Sequence, residues 1–324
     1  MDIALQQHWQ RLNPTTQPPA HRGTRMAYDT KRQQTVLVVP GQTWLWQNAV
    51  WSKVSSQSNP PARNTTHLSY DVSTECVLLF GGIGMDGTPL NDVWLWNGST
   101  WTEQTPASFP TAVGGASMAC NVAGKQVILF GGIVGFDGVS GSNRVGTLSD
   151  QTWLWNGTSW TEQSTSSTPP ARIGAQLVYD EAHQQTLLFG GNSLNGYLND
   201  MWLWNGTDWE ELSPATLPPA QARYSAIFHE QLQQVMLLGE VLVGENQDQP
   251  SYQTWLWNGI SWSQYTTNAA PTGSIESIAY NVATESVLAS VVSGGKLPPA
   301  GKSAAAVLPN VAAPSLGSET WSWG

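Results

Sequence analysis

Paired tryptophans at a near-constant spacing constrain this chain more than any other feature. The stretch Trp94-Leu95-Trp96-Asn97-Gly98-Ser99-Thr100-Trp101 holds two Trp two apart and a third five residues after the second. The same arrangement returns at Trp153, Trp155 and Trp160, at Trp202, Trp204 and Trp209, and at Trp255, Trp257 and Trp262. A looser copy is Trp44, Trp46 and Trp51, and a last pair is Trp321 and Trp323. The first Trp of successive pairs lies 50, 59, 49, 53 and 66 residues after the one before. Regular self-similarity on this scale means that each period is one supersecondary unit that buries its apolar faces against its neighbours.

A second block precedes the pairs. Pro60-Pro61-Ala62-Arg63 leads to Tyr70-Asp71 and then to Val77-Leu78-Leu79-Phe80-Gly81-Gly82. Pro169-Pro170-Ala171-Arg172 leads in the same way to Tyr179-Asp180 and Thr186-Leu187-Leu188-Phe189-Gly190-Gly191. Each unit therefore reads as four short strands. The first runs to the Tyr-Asp, the second is the apolar run that ends at Gly-Gly, the third is Trp-Leu-Trp, and the fourth starts at the lone Trp. Asn-Gly between third and fourth supplies the positive φ angles of a tight hairpin. Short, evenly spaced strands in repeats of this length predict a β-propeller, all-β with four-stranded antiparallel blades. The chain has 18 Trp, so units of three give six blades. The last pair has no room for a lone Trp before Gly324, and Trp9 is the one left over. The N-terminal strand around Trp9 is thus expected to close the last blade beside Trp321 and Trp323, which leaves no open seam. Residues 1–324 are expected to form one domain.

These residues resemble the kelch-repeat propellers, the galactose oxidase-like group. The resemblance rests on the Arg at the start of the first strand, the doublets Gly81-Gly82, Gly131-Gly132 and Gly190-Gly191, the Asn91-Asp92 and Asn199-Asp200 before the third strand, and the Trp ladder. It covers nearly the whole chain. Blades 1, 5 and 6 depart from it, with Val39-Pro40-Gly41, Leu238-Gly239-Glu240 and Ala289-Ser290-Val291 in place of the doublet. Kelch propellers include oxidases, sugar isomerases, specifier proteins and partner-binding modules, so the resemblance implies a fold and leaves the function open. The Tyr, Cys and His set of the copper-radical oxidases has no match here, and neither has the acidic and His run of the specifier proteins.

Composition narrows the classes. Net charge is −10 and the pI is near 4.8, which argues against nucleic acid or an anionic membrane as partner. Cys76 and Cys120 sit in apolar runs without metal-type spacing and read as packed thiols. The N-terminal residues lack the basic and apolar regions of a secretory leader, and no run reaches the length of a membrane span. A soluble, cytoplasmic monomer without a cofactor or metal is the expectation.

Candidate site residues follow from where the loops are long. The turns between first and second strands, and between third and fourth, are short. The connections on the opposite rim are long and unequal, as at Ile133 to Ser149, Glu240 to Tyr252 and Val291 to Ser318. Long irregular loops on one end of a rigid scaffold are where sites are built, and the last of these could lie across the site as a lid. The inner strand begins at that loop face. Eight residues before the Tyr-Asp position stand His21, Arg63, Val113, Arg172, Gln221 and Gly273. Six before it stand Gly23, Thr65, Gly115, Gly174, Arg223 and Ile275, and four before it Arg25, His67, Ser117, Gln176, Ser225 and Ser277. Period-two alternation puts all three rows on one side of the strand.

Arg25, Arg63, Arg172 and Arg223, with Gln176, Gln221 and Ser225, then form an anion-recognising set, since guanidinium offers paired donors to a carboxylate or phosphate. The competing reading makes the strand-start Arg structural, bonded to carbonyls or to Asp and Glu. The resemblance adds that in similar kelch modules for acidic peptides an Arg at this position reaches the ligand. The ligand expected is an anionic small molecule or an acidic peptide at the mouth of the central channel. One alternative is isomerase, cyclase or lyase chemistry there, with His21, His67, Tyr224 or Glu276 as acid or base. Another is a pure protein-interaction module. Asp92 and Asp200 are expected to bond loop backbone. Asn97, Asn156 and Asn205 match the glycosylation pattern, but turn chemistry explains them better.

Overall fold

Each tryptophan repeat forms a four-stranded antiparallel sheet, and the inner strands of the six sheets contact one another in a closed ring. The computed structural model describes residues 8–55, 58–111, 113–140, 143–220, 223–241, 251–266, 271, 273–293 and 317–324. Blade 1 consists of Arg25–Asp29, Gln34–Val39, Gln42–Gln47 and Val50–Lys53, from the channel outward. The inner strands of blades 2 to 6 are His67–Asp71, Ser117–Asn121, Gln176–Asp180, Tyr224–His229 and Ser274–Asn281. Blade 6 takes its outer strand from the far end of the chain. Trp9–Leu12 pairs with Gly317–Trp323, and Trp9 lies opposite Trp323. The six-bladed propeller closed by its N-terminal strand is what the tryptophan count predicted. Closure gives the strand Gly317–Trp323 a partner on both edges.

The tryptophans have three distinct roles. The first Trp of each pair donates its indole N–H to the residue two before it, as from Trp44 to Gln42, Trp94 to Asp92, Trp202 to Asp200 and Trp321 to Glu319. The second packs against the lone Trp across the hairpin, with ring centroids 5.2 to 5.5 Å apart in blades 1 to 5. The lone Trp then reaches the preceding blade. Trp51 bonds Thr320 at 2.9 Å, and Trp101 and Trp209 bond Thr43 and Thr152 at 2.8 Å. The core accordingly lies between blades. Met26, Leu37, Val39 and the three Trp of blade 1 pack with Ala279 and Leu288 of blade 6. Each of the other five blade junctions has its own such cluster.

The tight turn at Asn-Gly differs from expectation in its φ angles. In blades 2 to 4 the turn holds four residues, and Asn Oδ1 caps it by accepting two backbone N–H groups, as from Ser99 and Thr100 at 2.9 Å. Only the glycine has positive φ there, +94° at Gly98. The asparagines of the glycosylation pattern are thus turn caps, as expected.

The loop face is more ordered than long connections suggested. In blades 2 and 4 the second strand continues past Gly-Gly into a hairpin, Cys76–Gly84 with Pro89–Trp96 and Gln185–Ser193 with Gly196–Trp204. The doublet makes a bulge in each. A Cβ on Gly82 would lie 2.7 Å from Asn64 O, so glycine lets the start of the inner strand approach. The blade 3 connection is a separate hairpin of Ile133–Ser140 with Asn143–Leu148. The proposed blade 6 lid lies almost wholly outside the described residues. Cys76 and Cys120 are free thiols, and burial pushes Cys120 up to about 12. No helix of the described residues is long and apolar enough to cross a membrane.

Candidate functional site

The strand-start arginines of blades 2 and 4 are built into the wall. Arg63 is 3% exposed and Arg172 is 1% exposed. Arg63 pairs both Nη atoms with the Asp92 carboxylate and donates to Pro61 O at 2.9 Å and Gly81 O at 3.2 Å. Arg172 repeats this with Asp200 at 2.6 Å, Pro170 O and Gly190 O at 2.8 Å. Each guanidinium is held by its own blade, and each Asp also takes the indole N–H of the following Trp. This corrects the expectation that Arg63 and Arg172 meet a ligand. It also corrects the expectation for Asp92 and Asp200, which bond side chains rather than loop backbone. Four of the five N–H donors of each guanidinium are thus used inside the blade, two of them on one carboxylate.

Next to this wall the mouth of the channel is laced across blades. Gly115 N–H donates to Thr65 O at 3.2 Å, and Gly174 N–H donates to Gly115 O at 2.9 Å, linking blades 2, 3 and 4. Thr65, Gly115 and Gly174 all have positive φ, +52°, +70° and +63°. The series breaks at blades 5 and 6. The N–H of Ile275, at the matching position, goes to the Tyr252 hydroxyl at 2.9 Å. The carbonyl of Arg223, which such a link would use, accepts Glu240 N–H at 3.1 Å instead. Gly23 N–H of blade 1 turns to the Glu276 carboxylate at 2.9 Å.

Charged side chains gather at this break. Arg223 donates to Ser274 Oγ at 3.0 Å and stands 4.0 Å from Glu276 Oε1. Ser274 donates to Glu240 at 3.4 Å. Arg25 donates to Thr24 O at 2.9 Å and to Glu276 O at 3.2 Å. Arg25 is half-buried, and desolvation lowers its pKa, with Glu276 opposing and Arg223 adding to the shift. Burial raises Glu240, and Arg223 opposes that rise. His67 is held neutral, its pKa lowered to about 3 by burial and by the Arg25 charge. The arrangement gathers two guanidinium groups and two carboxylates where blades 5, 6 and 1 meet. Such a set combines charged donors and acceptors of the kind that can meet a polar ligand. Among the described residues no group of three or more His, Cys, Asp or Glu is placed to hold a metal ion.

A family model for the KLHDC2/KLHL20/DRC7 Kelch-repeats domain matches residues 23–239. The chain belongs to the kelch-repeat family. A solved structure titled "Structure of YjhT" is similar to it, at 13% identity and a TM-score of 0.64, over 87% of this chain and 97% of that one. At that identity the likeness is one of fold. No curated protein matches the chain. A kelch propeller is the fold of a binding or interaction module.

Within this kelch scaffold the remaining site candidates separate. Arg25, Arg223, His67 and Glu276 come together at the mouth. His21 stands near, with its Nδ1 buried and unpartnered, as is His67 Nε2. Tyr224 does not join them. It is 8% exposed, packs edge-on to Phe189 at 5.3 Å, and donates its hydroxyl to Pro219 O. It is thus a blade-junction residue, and burial raises its pKa. Gln176 bridges blades, accepting Ala226 N–H at 3.2 Å and donating to Ala175 O at 3.1 Å. Its part is to cover the inner-strand edge, as Ser277 does by accepting Met26 N–H at 3.0 Å. Ser225 is half-buried on the blade 5 inner strand, opposite Leu238. Gln221 lies outside the described residues.

Sequence reasoning gave no site role to Gly23, Tyr252 or Ser274, and Glu240, at the start of the long blade 5 connection, is 6% exposed. A signal for the Arg clamps was present. Arg63 and Arg172 occur in the blades that carry Asp92 and Asp200 two before the first Trp. The other blades carry Gln42, Gln151, Gln253 or Glu319 there and have no Arg at the strand start. Arg and Asp change together from blade to blade because each needs the other when buried.

Proposed function

We propose that this kelch propeller is a binding module for a carboxylate-bearing ligand, a small molecule or an acidic peptide, held at the mouth where blades 5, 6 and 1 meet. One observation carries the reading: cross-blade main-chain links tie the mouth together at blades 2 to 4, and they give way at blades 5 and 6, beside which Arg25, Arg223 and Glu276 stand. Arg223 keeps part of its guanidinium open, with a side-chain exposure of 36%. Arg25 and Arg223 together hold one anionic group, and Glu276 orients both. The reading takes one copy of the chain as the binding unit, since every named group comes from it.

The test is a panel of small carboxylates and acidic peptides, screened by thermal shift and titrated by calorimetry. Arg223→Ala and Arg25→Ala should each weaken binding at least tenfold, the usual loss for a charge-assisted contact. The melting profile of Arg223→Ala should stay close to that of the parent. Binding that survives both changes refutes the assignment.

A further inference from the structure

Glu276 has an unfinished set of hydrogen bonds. Its Oε2 is fixed by Gly23 N–H at 2.9 Å. Its Oε1 is buried without a hydrogen-bond partner, and the Arg223 guanidinium is 4.0 Å away. The side chain is only 7% exposed. A buried carboxylate oxygen calls for a donor, and its neighbours do not supply one. A second acceptor, Asn64 Oδ1, is also buried without a partner. It faces the same place from blade 2, lying 3.8 Å from where a Cβ on Gly23 would be. Gly23 has no side chain to fill the space.

The mouth thus offers two kinds of unmet demand. The hydrogen bonds of Arg25 and Arg223 go to neutral oxygens, and the one carboxylate paired with Arg223, Glu276, stands 4.0 Å away. Glu276 Oε1 is an acceptor without a donor. The donor it lacks is a neutral one. Arg22, Arg25 and Arg223 act on this cluster against Glu240 and Glu276, so the local balance is positive and disfavours an ammonium group. The 4.0 Å between Arg223 Nη1 and Glu276 Oε1 also requires that the anionic and donor groups of the ligand be close neighbours.

We infer that the ligand is a hydroxy acid, whose carboxylate meets Arg25 and Arg223 and whose hydroxyl, on the adjacent carbon, donates to Glu276 Oε1. This rests on the carboxylate-binding reading above and names the class of ligand. The probes are acetate, glycolate and glycine, which share a carboxylate and differ in carrying no donor, a hydroxyl or an ammonium. Each is titrated into the full chain and followed by the arginine Nε–H resonances of ¹⁵N-labelled protein. Glycolate should bind roughly tenfold tighter than acetate, the affinity of one hydrogen bond to a charged acceptor. In Glu276→Gln the amide oxygen can keep the Gly23 bond, which turns its NH₂ toward the ligand. Acetate should still bind there and the preference for glycolate should vanish.

Equal affinity for acetate and glycolate, or tighter binding of glycine, overturns the hydroxy-acid assignment and leaves the carboxylate site standing. Failure of all three to bind overturns both. The comparison on the unaltered protein decides the matter even where Glu276→Gln does not fold.

Discussion

Removing the Arg63 guanidinium should damage the fold and leave the ligand mouth functional. Arg63 is 3% exposed, and Arg63→Ala strips Asp92 of its ion pair and leaves Gly81 O and Pro61 O without their donors. Breaking a buried ion pair from one side costs about 3–5 kcal/mol. Asp92 is 19% exposed and keeps the Trp94 indole bond at 2.7 Å, which lets water reach it and puts the ion-pair loss at the low end. Each of the two stranded carbonyls adds about 1 kcal/mol, so the total is about 5 kcal/mol. Urea unfolding followed by tryptophan fluorescence reads this as a midpoint lowered by more than about 1 M at a slope of ~3 kcal/mol/M. Replacing the pair together, as Arg63→Met with Asp92→Leu, should recover part of the loss, because no charge is left buried alone. Arg223→Ala, at a half-open side chain, should cost under about 1 kcal/mol. The reasoning fails if Arg63→Ala costs less than about 1 kcal/mol, or if it abolishes carboxylate binding while the midpoint stays put.

The tryptophan ladder and the buried histidines support two more predictions. Trp160 Nε1 is buried without a partner, and Val93 stands in blade 2 where Thr43 and Thr152 serve the lone Trp of the next blade in blades 1 and 3. Val93→Thr should therefore stabilise by about 0.5–1 kcal/mol and Thr43→Val destabilise by about 1–2 kcal/mol; equal losses in urea melts of the two would refute the hydrogen-bond account. His229 is buried against Tyr280 and Trp323 with its pKa lowered to about 4 by burial. The unfolded chain takes up a proton near its ordinary value of about 6.5 while the folded one refuses it, so stability present above that value is lost as pH falls towards 4. By pH 5 the loss is roughly 2 kcal/mol, and His229→Asn, the residue type at Asn121 and Asn281, should remove most of that extra loss in melts at pH 7 and 5.

The number of blades, their four strands and the closure by Trp9 were legible because each is a periodic property. Every repeat must bury the same faces, so the same residues return. Some of the site was legible in the same way: period-two alternation placed Arg25, His67 and Arg223 on the channel side of the inner strands. Three-dimensional contacts decided what each arginine does there. Arg63 and Arg223 belong to one alternating set on the chain but stand two residues apart in the aligned strands, Arg223 matching Thr65. At the Arg63 position the guanidinium meets Asp92 of its own blade, whereas Arg223, one alternation further along, bonds Ser274 of blade 6.

Glu276 shows the same limit from the other side. Nothing in its neighbours along the chain says that Gly23, 253 residues away, fixes one of its oxygens and leaves the other without a donor. Repetition determined the propeller, because packing demands identical blades. The site was decided only by tertiary structure, because it lies where the cross-blade links fail, and a departure from the repeat has meaning only against the neighbours it faces.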